Sequence, residues 1–131
     1  VASSSKINKK DLEGLLKDWS QEFTVFVPQP ENGGAILARW DGTDTSFINR
    51  YRNTVKPAKA NFFPPMEEMF GFQKDNEGYH IEPPALNGHK QLIFGIRPCD
   101  ARALAILDMT FKDSYEDPYY LSKRNNTILI G

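Results

Sequence analysis

Leu92-Ile93-Phe94-Gly95-Ile96-Arg97-Pro98-Cys99-Asp100-Ala101-Arg102 is the stretch that decides the architecture. The unbroken apolar run over residues 92–96 reads as a strand buried on both faces. Pro98 suits the first turn of a helix, where its missing N–H removes no intrahelical bond. Ala103, Leu104, Leu107 and Phe111 then fall on one stripe of a helix over residues 101–111. Asp117 is placed to cap a short second helix through Tyr120 and Leu121, with Pro118 at its first position. Thr127-Ile128-Leu129-Ile130 completes the unit as a second buried strand. Strand, helix and strand in this order predict a right-handed βαβ unit with two parallel strands.

Upstream of this unit, residues 23–27 and 35–40 are rich in β-branched and aromatic side chains. Between them lies Pro28-Gln29-Pro30-Glu31-Asn32-Gly33-Gly34, whose composition predicts a β-hairpin with a long loop. Further upstream, Leu12, Leu15, Leu16 and Trp19 recur at helical spacing and predict a helix over residues 9–21. Asn8 is its expected N-cap, with Asp11 at the third helical position, while Lys9 and Lys10 oppose the helix dipole. Residues 41–46 read as a polar loop.

The middle of the chain is less regular. Residues 47–72 carry Tyr51, Phe62, Phe63, Phe70 and Phe72, but Pro57, Pro64 and Pro65 interrupt any long element. The aromatics fit either an irregular segment lining the core or a surface for a partner subunit. Pro65 suits the start of a short helix through Glu67, Glu68 and Met69. Residues 73–84 read as a second hairpin turning at Asp75-Asn76-Glu77-Gly78. The predicted fold class is α/β (α+β), with an N-terminal helix and β-hairpin followed by a βαβ unit in a mixed sheet. One domain over residues 1–131 is expected, with a mobile run at residues 1–7.

Composition narrows the function. The formal net charge of −1 gives a general nucleic-acid role no electrostatic footprint. No apolar run approaches the roughly 20 residues that a membrane helix needs, and the N-terminus has no apolar secretion segment. A single cysteine, Cys99, excludes an internal disulfide, and a reducing cytoplasm is the expected compartment.

Cys99 is also the principal candidate for chemistry. It follows a buried strand and opens a helix, and ligands of open α/β sheets gather at the carboxyl ends of strands. A helix N-terminus supplies free N–H groups and partial positive charge. Thiolate character is expected to rise there, more so if Arg97 and Arg102 point inward, and thiolate is the form that binds iron. Asp100 is expected to cap the helix. Three other readings stand beside this one. Cys99 could pack as a small hydrophobe. The turn with Arg97 and Arg102 could hold an anion or nucleotide, although no Gly-rich phosphate loop accompanies it. A cysteine enzyme would need a base, and His80 and His89 lie in loop-like segments with no evident relation to Cys99.

The segment from Phe94 to Asp108, FGIRPCDARALAILD, resembles the signature of the sulfhydrogenase β-subunit family. That family includes the iron–sulfur A subunit of anaerobic sulfite reductase and related dicluster ferredoxin proteins. Lys59-Ala60-Asn61-Phe62-Phe63-Pro64, followed by Glu67, Met69 and Phe70, is similar to its lysine–aromatic–proline block. Tyr119-Tyr120 and Ile128-Leu129-Ile130-Gly131 are similar to its approach to a cysteine-rich half. The resemblance implies an electron-transfer subunit of a hydrogenase- or sulfite-reductase-like complex. Its partners would be a flavin-bearing, NAD(P)-linked subunit and a catalytic oxidoreductase subunit, with no nucleic acid and no membrane. It implies [4Fe–4S] clusters in a longer protein, held by cysteines beyond Gly131, and none in this stretch. Cys99 alone carries over as a candidate cluster and metal ligand, supported by Arg97, Asp100 and Arg102, and no catalytic residue is expected.

Overall fold

A two-residue turn sets the sheet. Asn32 and Gly33 take positive φ values of 36° and 84°, the mirror-image turn whose twist matches that of a hairpin. In the computed structural model, which describes residues 7–84, 86 and 89–131, this turn joins β1 (Thr24–Glu31) to β2 (Gly34–Arg39). The long loop expected over residues 28–34 therefore contracts to two residues, and Pro28 and Pro30 lie inside β1.

Register explains how a strand accepts two prolines. The Trp40 N–H donates to the Val25 carbonyl at 2.8 Å, while the Thr24 N–H donates the other way, to Lys90. Odd-numbered residues of β1 thus exchange hydrogen bonds with β2, and even-numbered ones turn their nitrogens to the opposite edge. There β5 (Gln91–Phe94) pairs in parallel with Thr24, Val25 and Phe26 only. Pro28 and Pro30 come after that pairing ends, where no ladder donor is required. Counting prolines as loop residues misses this parity.

β6 (Thr127–Ile130) pairs in parallel with β5, giving a mixed sheet of order β2-β1-β5-β6. Between β5 and β6 run α2 (Pro98–Phe111) and α3 (Pro118–Asn125), so the predicted βαβ unit is present. At the N-terminus a 3₁₀ turn, Lys9–Asp11, leads into α1 (Leu12–Ser20). Asn8 makes no side-chain cap; its carbonyl accepts the Asp11 N–H at 3.0 Å, because the tight first turn closes on the backbone itself. Of residues 1–7, where a mobile run is expected, 1–6 lie outside the described residues, and Ile7 is exposed.

The sheet is covered on both faces. Leu12 and Leu16 of α1 pack with Val25, Val27, Trp40 and Leu92 on one side. On the other, Ile93 packs with Leu104, Tyr120, Phe62 and Ala58. Adjacent residues of β5 thus enter opposite cores, as its unbroken apolar run predicts. Phe62 is core, whereas Phe63, Phe70 and Phe72 are exposed. No helix forms after Pro65. Two adjacent prolines remove two donors, and too few residues remain before Gly71 to nucleate one. The second hairpin forms as expected from β3 (Gly71–Lys74) and β4 (Tyr79–Glu82), in a separate two-stranded sheet. Asp75 closes its turn by accepting the N–H groups of Glu77 and Gly78. Among the described residues, no helix is long and apolar enough to cross a membrane.

A polar clamp fixes α3 against α2. Asp117 caps α3 as predicted, accepting the N–H groups of Tyr119 and Tyr120, each at 2.9 Å. The buried Tyr120 ring stacks on Phe111 at 4.4 Å, and its hydroxyl donates to Asp108 at 2.8 Å. Arg124 Nε donates to both oxygens of the same carboxylate, at 3.1 and 3.2 Å. Burial, and then the Asp108 carboxylate, push the Tyr120 phenol well above its ordinary value. Tyr120→Phe removes a hydrogen bond to a charged acceptor and should cost about 1.5–3 kcal/mol in denaturant unfolding at neutral pH. The raised folded pKa stabilises fully below the unfolded value of about 10 and is lost as pH rises beyond it. The gap between wild type and Tyr120→Phe should therefore narrow above that pH, and a constant gap would show that the hydroxyl is not the cause.

Candidate functional site

The parallel strands β1, β5 and β6 end on one edge of the sheet, and the backbone there is built around Gly95. The expected strand over residues 92–96 stops at Phe94. Gly95 takes φ +81°, a conformation that L side chains rarely adopt. The N–H groups of Gly95 and Ile96 both donate to the Ile130 carbonyl, at 2.7 and 3.0 Å. Two residues facing one make a bulge that bends the chain out of the sheet. A Cβ at Gly95 would lie 3.1 Å from both Pro28 Cγ and the Tyr51 hydroxyl. That hydroxyl donates to the Gly95 carbonyl.

The bend delivers α2. Arg97 occupies the N-cap position in extended geometry, and Pro98 is the first helical residue, as its sequence position predicts. The first α-helical bond runs from the Ala101 N–H to the Arg97 carbonyl at 3.0 Å. Cys99 and Asp100 are therefore the second and third residues of the helix. The expectation that Asp100 caps the helix is not met: no side-chain cap bond forms, because the helix starts at Pro98 and Asp100 is already inside its first turn. Its carboxylate still carries a favourable charge for that end of the dipole.

The predicted site residues part company. Cys99 is exposed, so it does not pack as a small hydrophobe. Arg97 turns to the segment before the core helices: its guanidinium donates to the Arg52 carbonyl and lies 5.9 Å from the centre of the Tyr51 ring. Arg102 is exposed on α2. Burial first, then the Asp100 carboxylate, raise the Tyr51 phenol above its usual range, against the opposing charge of Arg97. His80 and His89 are both exposed; His80 sits on β4, 2.7 Å from the Asp75 carboxylate. Tyr51 is the functional-edge residue that sequence reasoning missed. No local signal marked it, since its acceptor lies 44 positions away; with Arg50 and Arg52 it borders a cleft of about 590 Å³ beside the Asn32-Gly33 turn.

A four-thiolate cluster exceeds what these residues offer. Cys99 is the one thiol in the sequence, and among the described residues no group of three or more His, Cys, Asp or Glu side chains could hold a metal ion. Cys99 fits one corner of such a cluster at most.

An α/β domain with an exposed cysteine at the carboxyl edge of its parallel strands is thus the class that fold and site define. No protein-family profile and no solved structure matches it. The chain is similar to Sulfhydrogenase 2 subunit beta of Pyrococcus furiosus, with 33% identity over 81 residues. The match covers 62% of this chain and 23% of that protein, so the chain spans about a quarter of its relative's length.

The geometry separates two aspartates that both stand near helix starts. Asp117→Ala, which removes a cap, should cost about 0.5–2 kcal/mol. Asp100→Ala, which removes only a charge near a dipole, should cost about 0.3–1 kcal/mol and less at high salt. Gly95→Ala should cost about 1–3 kcal/mol, since it combines left-handed backbone with a crowded Cβ. Denaturant melts of the three variants order them; an Asp100→Ala loss equal to that of Asp117→Ala contradicts this helix start.

Proposed function

We propose that this chain is the front domain of a cytoplasmic iron–sulfur electron-transfer subunit in a multisubunit hydrogenase- or sulfite-reductase-like oxidoreductase. The observation that carries this reading is its similarity to Sulfhydrogenase 2 subunit beta. The site adds a chemical reason. Cys99 is exposed on the first turn of α2, so its sulfur is open to a cluster held by other cysteines. The Gly95 bulge and the Tyr51 bond fix the backbone that carries it. In this reading Cys99 supplies one ligand to a [4Fe–4S] cluster whose other cysteines lie elsewhere in a longer protein. Arg97, Asp100 and Arg102 support the turn. The partners are a flavin- and NAD(P)-linked subunit and a catalytic subunit, and this domain is itself not an enzyme.

Anaerobic Fe–S reconstitution of the longer protein tests this directly. Cys99→Ser should lower bound iron and sulfide by up to one cluster and alter the low-temperature EPR spectrum of the reduced protein. Unchanged iron, sulfide and EPR would remove Cys99 from the ligand set.

A second reading is an anion- or nucleotide-binding module that uses the start of α2 at Arg97–Arg102; Arg97 donates to the carbonyl of Arg52, which with Arg50 and Glu31 borders the neighbouring cleft. Titration with inorganic pyrophosphate, followed by amide NMR shifts at residues 50–53 and 97–102, distinguishes the two. Saturable shifts that Arg52→Gln abolishes would favour the anion module, and flat shifts would exclude it.

A further inference from the structure

Four cations follow one another along a stretch that contains no acid. Residues 45–66 hold Arg50, Arg52, Lys56 and Lys59 and not one Asp or Glu. The stretch carries +4 on a chain whose net charge is −1, so the remainder carries −5. All four side chains are exposed. Among the described residues, every ion pair is made by other cations. Like charges this close along the chain repel one another, and no carboxylate of this domain pairs with them.

The backbone fixes where these cations stand. Arg50 and Arg52 border the cleft of about 590 Å³, with the half-buried Tyr51 between them. The Val55 N–H donates at 2.7 Å to the carbonyl of Ala35, on the wall of the same cleft, so Lys56 follows at its margin. Ala58 is then buried in the core with Leu104, and Lys59 stands exposed on the Ala58–Asn61 turn. Val55 itself is 70% exposed. An apolar residue and a tyrosine edged by arginine and lysine have the anatomy of a protein–protein contact. A polynucleotide or an anionic membrane extends past one patch and meets the −5 carried by the rest of the chain. Glu31 borders the same cleft and repels a phosphate there. A two-fold dimer through this face would set cation against cation.

We infer that the stretch from Arg50 to Lys59 docks a partner protein through a patch of Asp and Glu side chains, with Tyr51 and Val55 at the centre of the contact. The inference goes beyond the reading of Cys99. Its test does not read iron, so either can fail without the other.

Lys56 and Lys59 allow the contact itself to be trapped. A water-soluble carbodiimide activates a carboxylate, and a lysine amine touching it forms an amide with no spacer, while the carbodiimide takes the oxygen and leaves as its urea. The protein as its gene encodes it is treated in this way in a nuclease-digested extract of its native host, and the cross-linked peptides are sequenced by mass spectrometry. The expected product joins Lys56 or Lys59 to an acidic run of one different polypeptide. Arg50→Glu with Arg52→Glu leaves both lysines in place and should lower the yield several-fold. So should about 1 M salt, where the screening length falls to about 3 Å. Circular dichroism should be unchanged, because both arginine side chains are exposed and Arg97 bonds only the backbone of residue 52. Arg50→Lys with Arg52→Lys keeps the charge and should keep the yield. No foreign carboxylate on either lysine, or only carboxylates of a second copy, overturns the inference, as does a yield that charge reversal and salt leave unchanged. Binding of oligothymidylate or phosphatidylserine vesicles at about 0.15 M salt, abolished by the same charge reversal, also overturns it by making the occupant a nucleic acid or a membrane.

Discussion

The carbonyl of Gly95 and the hydroxyl of Tyr51 meet where three pieces of chain converge. One is the end of β5, one is the segment before the Ala58–Asn61 turn, and one is the start of α2. Gly95 can accept this bond because it lacks a Cβ and takes a left-handed backbone. The same residue shares the Ile130 carbonyl with Ile96, so the end of β6 is tied in as well. Arg97 then reaches back to the Arg52 carbonyl over the Tyr51 ring, closing a small circuit. The direction of α2, and with it the position of Cys99, is set by this circuit at its start together with the packing of Leu104 in the core.

The parts of the fold that were legible in the sequence share one property: their information is local. The run over residues 92–96 needs only its own composition to read as a doubly buried strand, and Leu92 and Ile93 do enter opposite cores. Asp117-Pro118 and Asp75 through Gly78 each hold donor, acceptor and turn residue within four positions. What was not legible depends on partners far along the chain. Pro28 and Pro30 look like loop residues until the length of β5 is known, because only then are their nitrogens free of a ladder. Asp100 is an exception, since Pro98, two residues before it, already marks a helix start that puts Asp100 inside the first turn. Tyr51 has no local signal for its bond, since its acceptor lies 44 positions away. At the candidate site Cys99 and Pro98 could be placed from sequence, but the orientation of Arg97 could not.

The two faces of the sheet are secured differently. Beneath α1 the described core residues pack chiefly through apolar contact, with Leu16 and Val27 fully enclosed and the Trp40 N–H donating to the Asp44 carbonyl. Under α2 and α3 the apolar core is joined to a carboxylate, a guanidinium and a phenol, in the Asp108–Arg124–Tyr120 clamp. Apolar contact tolerates sliding, whereas a hydrogen-bonded clamp admits one register. The side that carries the candidate ligand is the side with the registered geometry.

The prolines of β1 have a consequence beyond the hairpin. Past Phe26 that strand no longer pairs with β5; Pro28 is buried beside Gly95, and only at the exposed Pro30 does the flank open, where a strand normally offers N–H donors on which a foreign strand can template. Pro28 and Pro30 occupy the alternate positions whose donors would point outward. At that end of β1 the side turned away from β2 thus offers no N–H donor on which a foreign strand could build.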